Sequence, residues 1–248
     1  MSRLHRLLHE TRKWWPRRAS GLPPGQRALD AFPRFADNPL RPPPDVPEHP
    51  VLRLAAPGGE EVRFAIDELR ACGLVESRTS DFHCVTTWTA RRKIWTGIPL
   101  AAWWHTFVAP SFAESGEFAV VTGDDGYQAV FLADDLFADD VMLAWELDHV
   151  MLDMRHGYPL RLVSPSQYGY KSVKHVTAIE LCIDRPASRL GSKEHQRARV
   201  AVEERHSRLH GRLLRWPYRL LVPVTAMVAE RTLHRHGQVP GPDADPDK

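Results

Sequence analysis

Two blocks constrain this chain more than any other feature of its sequence. The first is Asp81-Phe82-His83-Cys84-Val85-Thr86-Thr87-Trp88. The second is Gly157-Tyr158-Pro159-Leu160-Arg161-Leu162-Val163-Ser164-Pro165, which leads into Tyr168-Gly169-Tyr170-Lys171-Ser172. A cysteine thiolate is a soft, electron-rich ligand that suits a transition metal. Backbone N–H groups beside Arg and Lys suit an anionic phosphate. One chain that carries both can hold a metal at one end of a bound group and a phosphate at the other. Alone, Cys84 would read as a small buried packing residue, because free cysteine is among the most buried residue types. The second block is what changes that reading.

The chain has 248 residues and is 43% hydrophobic, enough for one large domain, or one domain plus an extension, with a real core. This excludes disorder throughout. The formal charge of +2 hides an asymmetry, since acidic residues gather between Glu114 and Asp153 and arginine is concentrated after Arg185. Cys72, Cys84 and Cys182 are too widely spaced for a structural zinc site and make no disulfide framework, which points to a reducing cytoplasm. Arg17-Arg18 is followed by polar, proline-rich sequence with no apolar stretch, so no signal peptide is expected. No apolar run reaches the roughly 18 to 20 residues that span a bilayer.

Residues 1–38 read as a basic N-terminal arm, with a short amphipathic helix over Met1 to Trp15 that ends at Pro16. Prolines from Pro39 to Pro50 favour an extended, wrapping segment. The folded domain is expected at 39–190. Within it, Val51 to Leu54 and Val62 to Ile66 alternate around Pro57-Gly58-Gly59, which predicts a hairpin, and a short helix should start at Ile66. Phe118 to Thr122 and Gln128 to Leu132 predict a second hairpin, Leu136 to Leu147 a helical segment, and Leu160 to Val163 and Lys174 to Cys182 two strands. An arginine-rich helical extension is expected at 191–236. Val202, Leu209, Leu213, Trp216 and Leu220 form one apolar stripe there, with His206 filling the gap. Arg205, Arg208, Arg212, Arg215 and Arg219 run beside it. The apolar stripe is expected to pack on the domain or a second subunit with the arginines solvated, and Pro217 to divide the helix into two pieces. Residues 237–248 read as a disordered tail.

The region from about Phe32 to Asp184 resembles the molybdopterin domain of the sulfite oxidase family, which includes methionine sulfoxide reductase catalytic subunits. Its Cys-Val-Thr-Gly-Trp-Ser pattern and the later Trp-x-Gly-Val-Pro-Leu correspond to Cys84-Val85-Thr86-Thr87-Trp88-Thr89 and Trp95-Thr96-Gly97-Ile98-Pro99-Leu100. Its His-Gly-x-Pro-Leu-Arg-Leu-Val-x-Pro and Tyr-Gly-Tyr-Lys-Ser correspond to residues 156–165 and 168–172. The resemblance implies an α+β fold of the sulfite oxidase type, with mixed β-sheets, to which the C-terminal helical extension is added. It also implies a molybdenum-molybdopterin cofactor (Mo-MPT) with Cys84 as the one protein ligand to the metal. Arg161 and Lys171 are then the best candidates for gripping phosphate and pterin. The N–H groups of Gly169 and Tyr170 would approach closely, and Thr122, His156, Ser172 and Lys174 would complete the polar shell. His83 is a candidate proton donor beside the ligand, and Arg91, Arg92 and Lys93 are candidates for an anion-attracting mouth.

The implied activity is two-electron oxygen-atom transfer on a small sulfite- or sulfoxide-like substrate. Electrons would pass to or from a separate cytochrome, flavoprotein or membrane subunit, in a protein that is cytoplasmic or membrane-peripheral. Residues 193–232 are the stretch for a peripheral membrane or partner contact, and no nucleic-acid partner is expected. Two alternatives stay open: a cofactor-free scaffold or binding protein that docks through its arginine-rich tail, and a nucleophilic Cys84 activated by a histidine. The sequence departs from the family pattern at Thr87, where glycine is usual, and at Lys174-His175, where Lys-Trp is common.

Overall fold

The computed structural model describes residues 13–34, 40–187, 195–203, 205–206 and 209–236. In chain order the strands are β1 (Arg27–Leu29), β2 (Val51–Ala55), β3 (Glu61–Ala65), β4 (Glu76–His83), β5 (Trp88–Pro99), β6 (Phe118–Gly123) and β7 (Gln128–Leu132). They continue with β8 (Met142–Leu147), β9 (Val150–Met151), β10 (Arg161–Val163), β11 (Val176–Cys182), β12 (Arg205–His206) and β13 (Leu209–His210). The α-helices are α1 (Ile66–Ala71), α2 (Leu100–Trp103), α3 (Ala133–Leu136) and α4 (Gly211–Arg235). The architecture is α+β with mixed sheets and a C-terminal helix.

One sheet has five strands in the order β3-β2-β11-β6-β7, with β11 parallel to β2 and antiparallel to β6. The hairpins expected over residues 51–66 and 118–132 supply four of these strands, and α1 follows β3 as expected. At the start of α1, Glu68 reaches back to accept from the Ala65 N–H at 2.6 Å, which satisfies a donor the helix leaves unpaired.

The second sheet has six strands. β4 pairs with β5 along almost its whole length, so the other edge of β5 is shared by β1 at its start and β8 at its end. The segment expected to be helical from Leu136 to Leu147 is instead mostly β8, a central strand between β5 and β10. Met142 to Trp145 are all buried, and a strand covered on both faces loses the polar alternation that would identify it.

Period-two alternation divides that sheet between two cores. Leu143, Trp145, Leu162 and Ile98 face the five-stranded sheet and pack with Leu52, Leu54, Val121, Phe131 and Ile179. Met142, Ala144, Val163, Trp95, Ala90 and Trp88 face the other way and form a second cluster with Phe82, Cys84 and Leu29. Arg161, two residues before Val163 on β10, shares that second face.

The second cluster is closed by the two ends of the chain. From within the stretch expected as an N-terminal arm, β1 joins the sheet parallel to β5, and Trp14, Leu29 and Phe32 pack against the cluster. Residues 1–12 of the expected N-terminal helix and the expected tail at 237–248 lie outside the described residues.

From the C-terminal side, Val222 and Ala226 of α4 complete the cover, with Met227 beside them. Three expectations for the extension are corrected here. First, residues 195–203 are turns and a bridge to Gln167, β12 and β13 are short strands, and the helix begins only at Gly211. Second, α4 runs unbroken through Pro217 and Pro223. The Leu213 side of the helix faces solvent, where water can satisfy the carbonyl that Pro217 leaves without an intrahelical donor. Third, the packed stripe is Val222, Ala226, Ala229 and Leu233, while Leu213, Trp216 and Leu220 are exposed. Two of the arginines turn inward, Arg215 to the Pro24 carbonyl at 3.3 Å and Arg219 to the Gly25 carbonyl at 3.0 Å.

Candidate functional site

Cys84 sits at the turn between β4 and β5. Its carbonyl accepts from the Thr87 N–H at 3.0 Å and its N–H donates to the Trp88 carbonyl at 2.8 Å, the pattern of a three-residue hairpin loop. Such a loop ends with a residue in the left-handed region, usually glycine. Thr87 holds that place at φ 75°. A β-branched residue there is a conformational outlier, and the Thr87 hydroxyl is buried without a hydrogen-bond partner. Thr87→Gly is therefore expected to stabilise the protein by about 1 kcal/mol after its greater unfolded-state freedom is counted, a rise in Tm of about 2–4 °C. An unchanged or lowered Tm in calorimetry would show that the loop does not strain Thr87.

Behind the loop, Gln26 donates from Nε2 to the Cys84 carbonyl at 3.1 Å and accepts the Thr89 hydroxyl proton on Oε1 at 3.1 Å. Thr89 Oγ1 lies 2.9 Å from His83 Nδ1. Because the Thr89 proton is given to Gln26, Nδ1 must donate, and this fixes the tautomer of His83 and leaves Nε2 as its acceptor. Burial holds His83 below its ordinary pKa, against the pull of Asp81, which favours the neutral ring. The Cys84 sulfur is 3.0 Å from Thr86 Oγ1. Burial pushes the thiol up, opposed by Thr86 and by the charge of Lys174. A nucleophilic cysteine needs the opposite shift and a base at its sulfur, whereas the polar group at the Cys84 sulfur is the Thr86 hydroxyl. A thiol raised by burial ionises when a metal cation takes the proton's place.

Arg161 is 1% exposed, and its guanidinium lies over Phe82 at 5.0 Å, Trp95 at 5.2 Å and Phe32 at 5.5 Å. Nη1 donates to the His156 carbonyl at 2.9 Å, while Nε is buried without a partner. Burial pushes its pKa down to about 9, and Asp153 only partly offsets this. Lys174 donates to the Arg155 carbonyl at 3.1 Å. Burial, Arg161 and Arg34 together hold Lys174 well below the usual lysine range. Arg34, also buried, donates from Nη2 to the Arg41 carbonyl at 2.7 Å and leaves Nη1 unpartnered. Burial depresses all three cations, Arg161 and Arg34 depress Lys174 further, and the two arginines carry unsatisfied N–H groups, so together they form a cradle for an anion. Unpartnered buried donors on Arg161, Arg34, Trp95 and Thr87, beside a buried thiol, fit a group that presents both a soft metal and anionic oxygens.

The other candidates are distributed differently. His156 has both ring nitrogens facing acceptors of this chain, Nδ1 toward Asp153 Oδ1 at 2.8 Å and Nε2 toward the Phe32 carbonyl at 3.0 Å. It therefore braces the wall behind Arg161. Burial keeps its pKa below the usual value despite Asp153. Lys171 donates to the Val130 carbonyl and lies over Phe131 at 5.0 Å, so it faces the five-stranded sheet and is not paired with Arg161. The Gly169 N–H donates to the His83 carbonyl at 2.7 Å, and a Cβ there would collide with the Phe82 ring. This glycine permits a close approach between the two sequence blocks. The Tyr170 carbonyl accepts from the Tyr127 hydroxyl at 2.6 Å, and Ser172 Oγ accepts from the Ser164 N–H at 3.2 Å.

Thr122 accepts from Gln128 at 3.1 Å and lines a separate open cavity of about 400 Å³ with Asp124, Tyr158 and His175. Arg91 and Arg92 are exposed at an irregularity of the β4–β5 ladder. There the Arg92 N–H donates to Asp81 at 2.8 Å, and Lys93 pairs with Asp148 at 2.7 Å. No hydrogen bond or ion pair joins Arg91, Arg92 or Lys93 to Cys84 among the described residues. Gln26, Phe32 and Arg34 are the site residues that sequence reasoning missed. They come from the segment before the proline-rich stretch, where residue type alone gives no signal of a partner across the fold.

The family described as oxidoreductase molybdopterin binding domain matches residues 42–189. Over 117 residues the chain is 26% identical to an uncharacterized oxidoreductase, YuiH, of Bacillus subtilis, covering 47% of this chain and 57% of that protein. Over 116 residues it is 30% identical to a putative protein-methionine-sulfoxide reductase subunit, YedZ1, of Azospira oryzae, covering 47% and 42%. These alignments span about half the length of the curated relatives. A solved structure of the sulfane dehydrogenase SoxCD from Paracoccus pantotrophus aligns with a TM-score of 0.49 at 21% identity, covering 56% of this chain and 40% of that one.

Proposed function

The chain belongs to the oxidoreductase molybdopterin-binding domain family, and on that premise we propose that it is a molybdenum-molybdopterin oxidoreductase that transfers an oxygen atom to or from a small sulfite- or sulfoxide-like substrate. It exchanges electrons with a separate protein. One observation carries the reading: the buried Cys84 shares a cluster with Phe82 and Trp95, and the incompletely paired guanidinium of Arg161 lies over both of those rings. The name of one relative, a subunit of a putative protein-methionine-sulfoxide reductase, supports a sulfoxide-like substrate and a distinct electron carrier.

Cys84 would ligate the metal, and Arg161, Lys174 and Arg34 would hold the anionic end. When bound, the cofactor supplies a metal that changes oxidation state by two electrons, the requirement for moving one oxygen atom. The chain's own contribution is position and exclusion. The loop hydrogen bonds and Gln26 fix the Cys84 backbone, so the sulfur is presented without rearrangement. Phe32, Phe82, Trp88 and Trp95 wall the cluster from water, which strengthens every charge interaction inside it. His83 keeps its Nδ1 proton on Thr89, leaving Nε2 as the atom at which a proton can be taken up.

The test is elemental analysis of protein purified from a host that makes molybdopterin, beside a Cys84→Ser variant. Near-stoichiometric molybdenum with thiolate ligation in X-ray absorption is expected for the parent chain. In the variant, the protein thiolate should be lost and dye-linked turnover should fall by more than about a hundredfold, since loss of outer partners of a metal alone costs 10–100-fold. Absence of molybdenum from both proteins would overturn the reading.

A further inference from the structure

Helix α4 has two apolar faces. At 100° per residue, Val222, Ala226, Ala229 and Leu233 fall on one side and are buried against the body of the protein. Leu213, Trp216, Leu220 and Val224 fall on the opposite side, where they are 73%, 70%, 46% and 57% exposed, with Leu221 at 54% on their flank. Farther along the exposed side the apolar residues give way to Arg231, His234 and Arg235, all exposed. The helix contains five arginines and a single acid, Glu230, which is committed to Arg155 at 3.4 Å. In its first turns, burial and the charges of Arg27, Arg215 and Arg18 lower the pKa of Arg219. Trp15 is exposed nearby in sequence to Arg17 and Arg18.

We propose that the outer face of α4 is an interfacial membrane anchor that lies flat on an anionic lipid surface, with Trp216 and its apolar neighbours inserted and Arg231 and Arg235 at the headgroups. Size decides between lipid and protein. From Leu213 to Val224 the stripe is about 16 Å long and one helix wide, roughly 160 Å². A stable protein partner or second copy needs about 800 Å² on each side, several times what this stripe offers. An interfacial helix needs no more than a few large side chains seated at the acyl boundary plus cations on anionic headgroups. Among the described residues no helix is long and apolar enough to cross a membrane, so α4 is suited to lying on a bilayer. The inner face of α4 would then cover the Cys84 cluster while the outer face meets lipid.

The full-length protein should co-sediment with vesicles of phosphatidylcholine and phosphatidylglycerol in equal parts, more weakly as salt rises, and only marginally with phosphatidylcholine alone. The double substitution Trp216→Asp with Leu220→Asp alters exposed side chains and should lower the partition coefficient more than about tenfold at unchanged Tm. Arg231→Glu with Arg235→Glu should lower binding to the anionic vesicles severalfold by a change that leaves the apolar face intact. Failure to bind either vesicle would overturn the proposal, as would binding that the Trp216/Leu220 variant leaves unchanged. A solution dimer that dissociates in the same variant would overturn it in favour of a second copy.

Discussion

Arg161→Met is expected to release the cofactor while leaving the cofactor-free fold at least as stable as the parent. The two effects have opposite sign because the guanidinium is placed for an anion that the chain itself does not supply. Depression of its pKa from the ordinary guanidinium range to about 9 corresponds to roughly 5 kcal/mol against keeping the charge buried. The faces of Phe32, Phe82 and Trp95 return about 0.5–2 kcal/mol each, and the hydrogen bond to the His156 carbonyl returns about 1 kcal/mol more. The balance is close to zero, and methionine keeps the length and a favourable sulfur–aromatic contact without the charge. With the cofactor bound, the same substitution strands a buried anion beside one cation fewer, a cost of about 3–5 kcal/mol or more than a hundredfold in retention. Molybdenum and pterin content after gel filtration, read beside the Tm of the cofactor-free proteins, separates the two effects. Arg161→Lys, which keeps charge without the planar fork, should fall between them. An Arg161→Met protein that retains cofactor at parental stoichiometry would remove Arg161 from the site.

What the sequence made legible follows from how far each signal reaches along the chain. Hairpins around Gly58-Gly59 and Gly123 to Gly126 are local, and alternation within a few residues was enough to place β2, β3, β6 and β7. β8 was not legible as a strand, because the sheet is covered on both faces and its apolar run carries no period. The pairing of Cys84 with Arg161 came from a resemblance between motifs. Its physical cause, alternation along Arg161-Leu162-Val163 that turns Arg161 to the face of Cys84, needs the strand order to be seen. Lys171 and Lys174 are three residues apart and equally basic, yet only Lys174 joins Arg161. The turn at residues 169–173 sends Lys171 toward Val130, and no composition rule anticipates that. Of the expected apolar stripe only Leu213, Trp216 and Leu220 lie on α4, and the helix face they share is the exposed one. Alanines at 226 and 229 make the close inner contact, while the larger Leu213, Trp216 and Leu220 stay outside, so side-chain size pointed away from the packed side.

Stability should fall by about 3 kcal/mol from His175 alone as pH drops from 6.5 to about 4. His175 is 3% exposed, and its Nδ1 donates to the Tyr158 carbonyl at 2.7 Å. Burial, followed by the charges of Lys174 and Arg34, pushes its pKa down to about 4, against the Tyr158 hydrogen bond and Asp125. In the unfolded chain the ring binds a proton near its ordinary 6.5, so within this window the unfolded state holds more protons than the native one. The contribution is therefore complete above pH 6.5 and is lost as pH falls through the interval. His83 and His156 are shifted in the same direction and deepen the loss. The carboxylates of Asp153 and Asp148 are held below 3.8, so their contribution disappears only at lower pH and does not mask the histidine window. His175 also occupies φ 51°, a conformation that asparagine tolerates better than most residues. His175→Asn removes the titrating ring at modest backbone cost. Urea unfolding across this pH range should give a shallower pH slope for His175→Asn than for the parent, whatever its absolute stability. Parallel slopes would mean that His175 does not titrate in the native state as its burial requires. The cations that hold His175 neutral, Lys174 and Arg34, are the ones assigned to the anionic end of the cofactor. An anion bound there would cancel their repulsion and raise the folded-state pKa, so the cofactor-loaded protein should lose less stability across the same window.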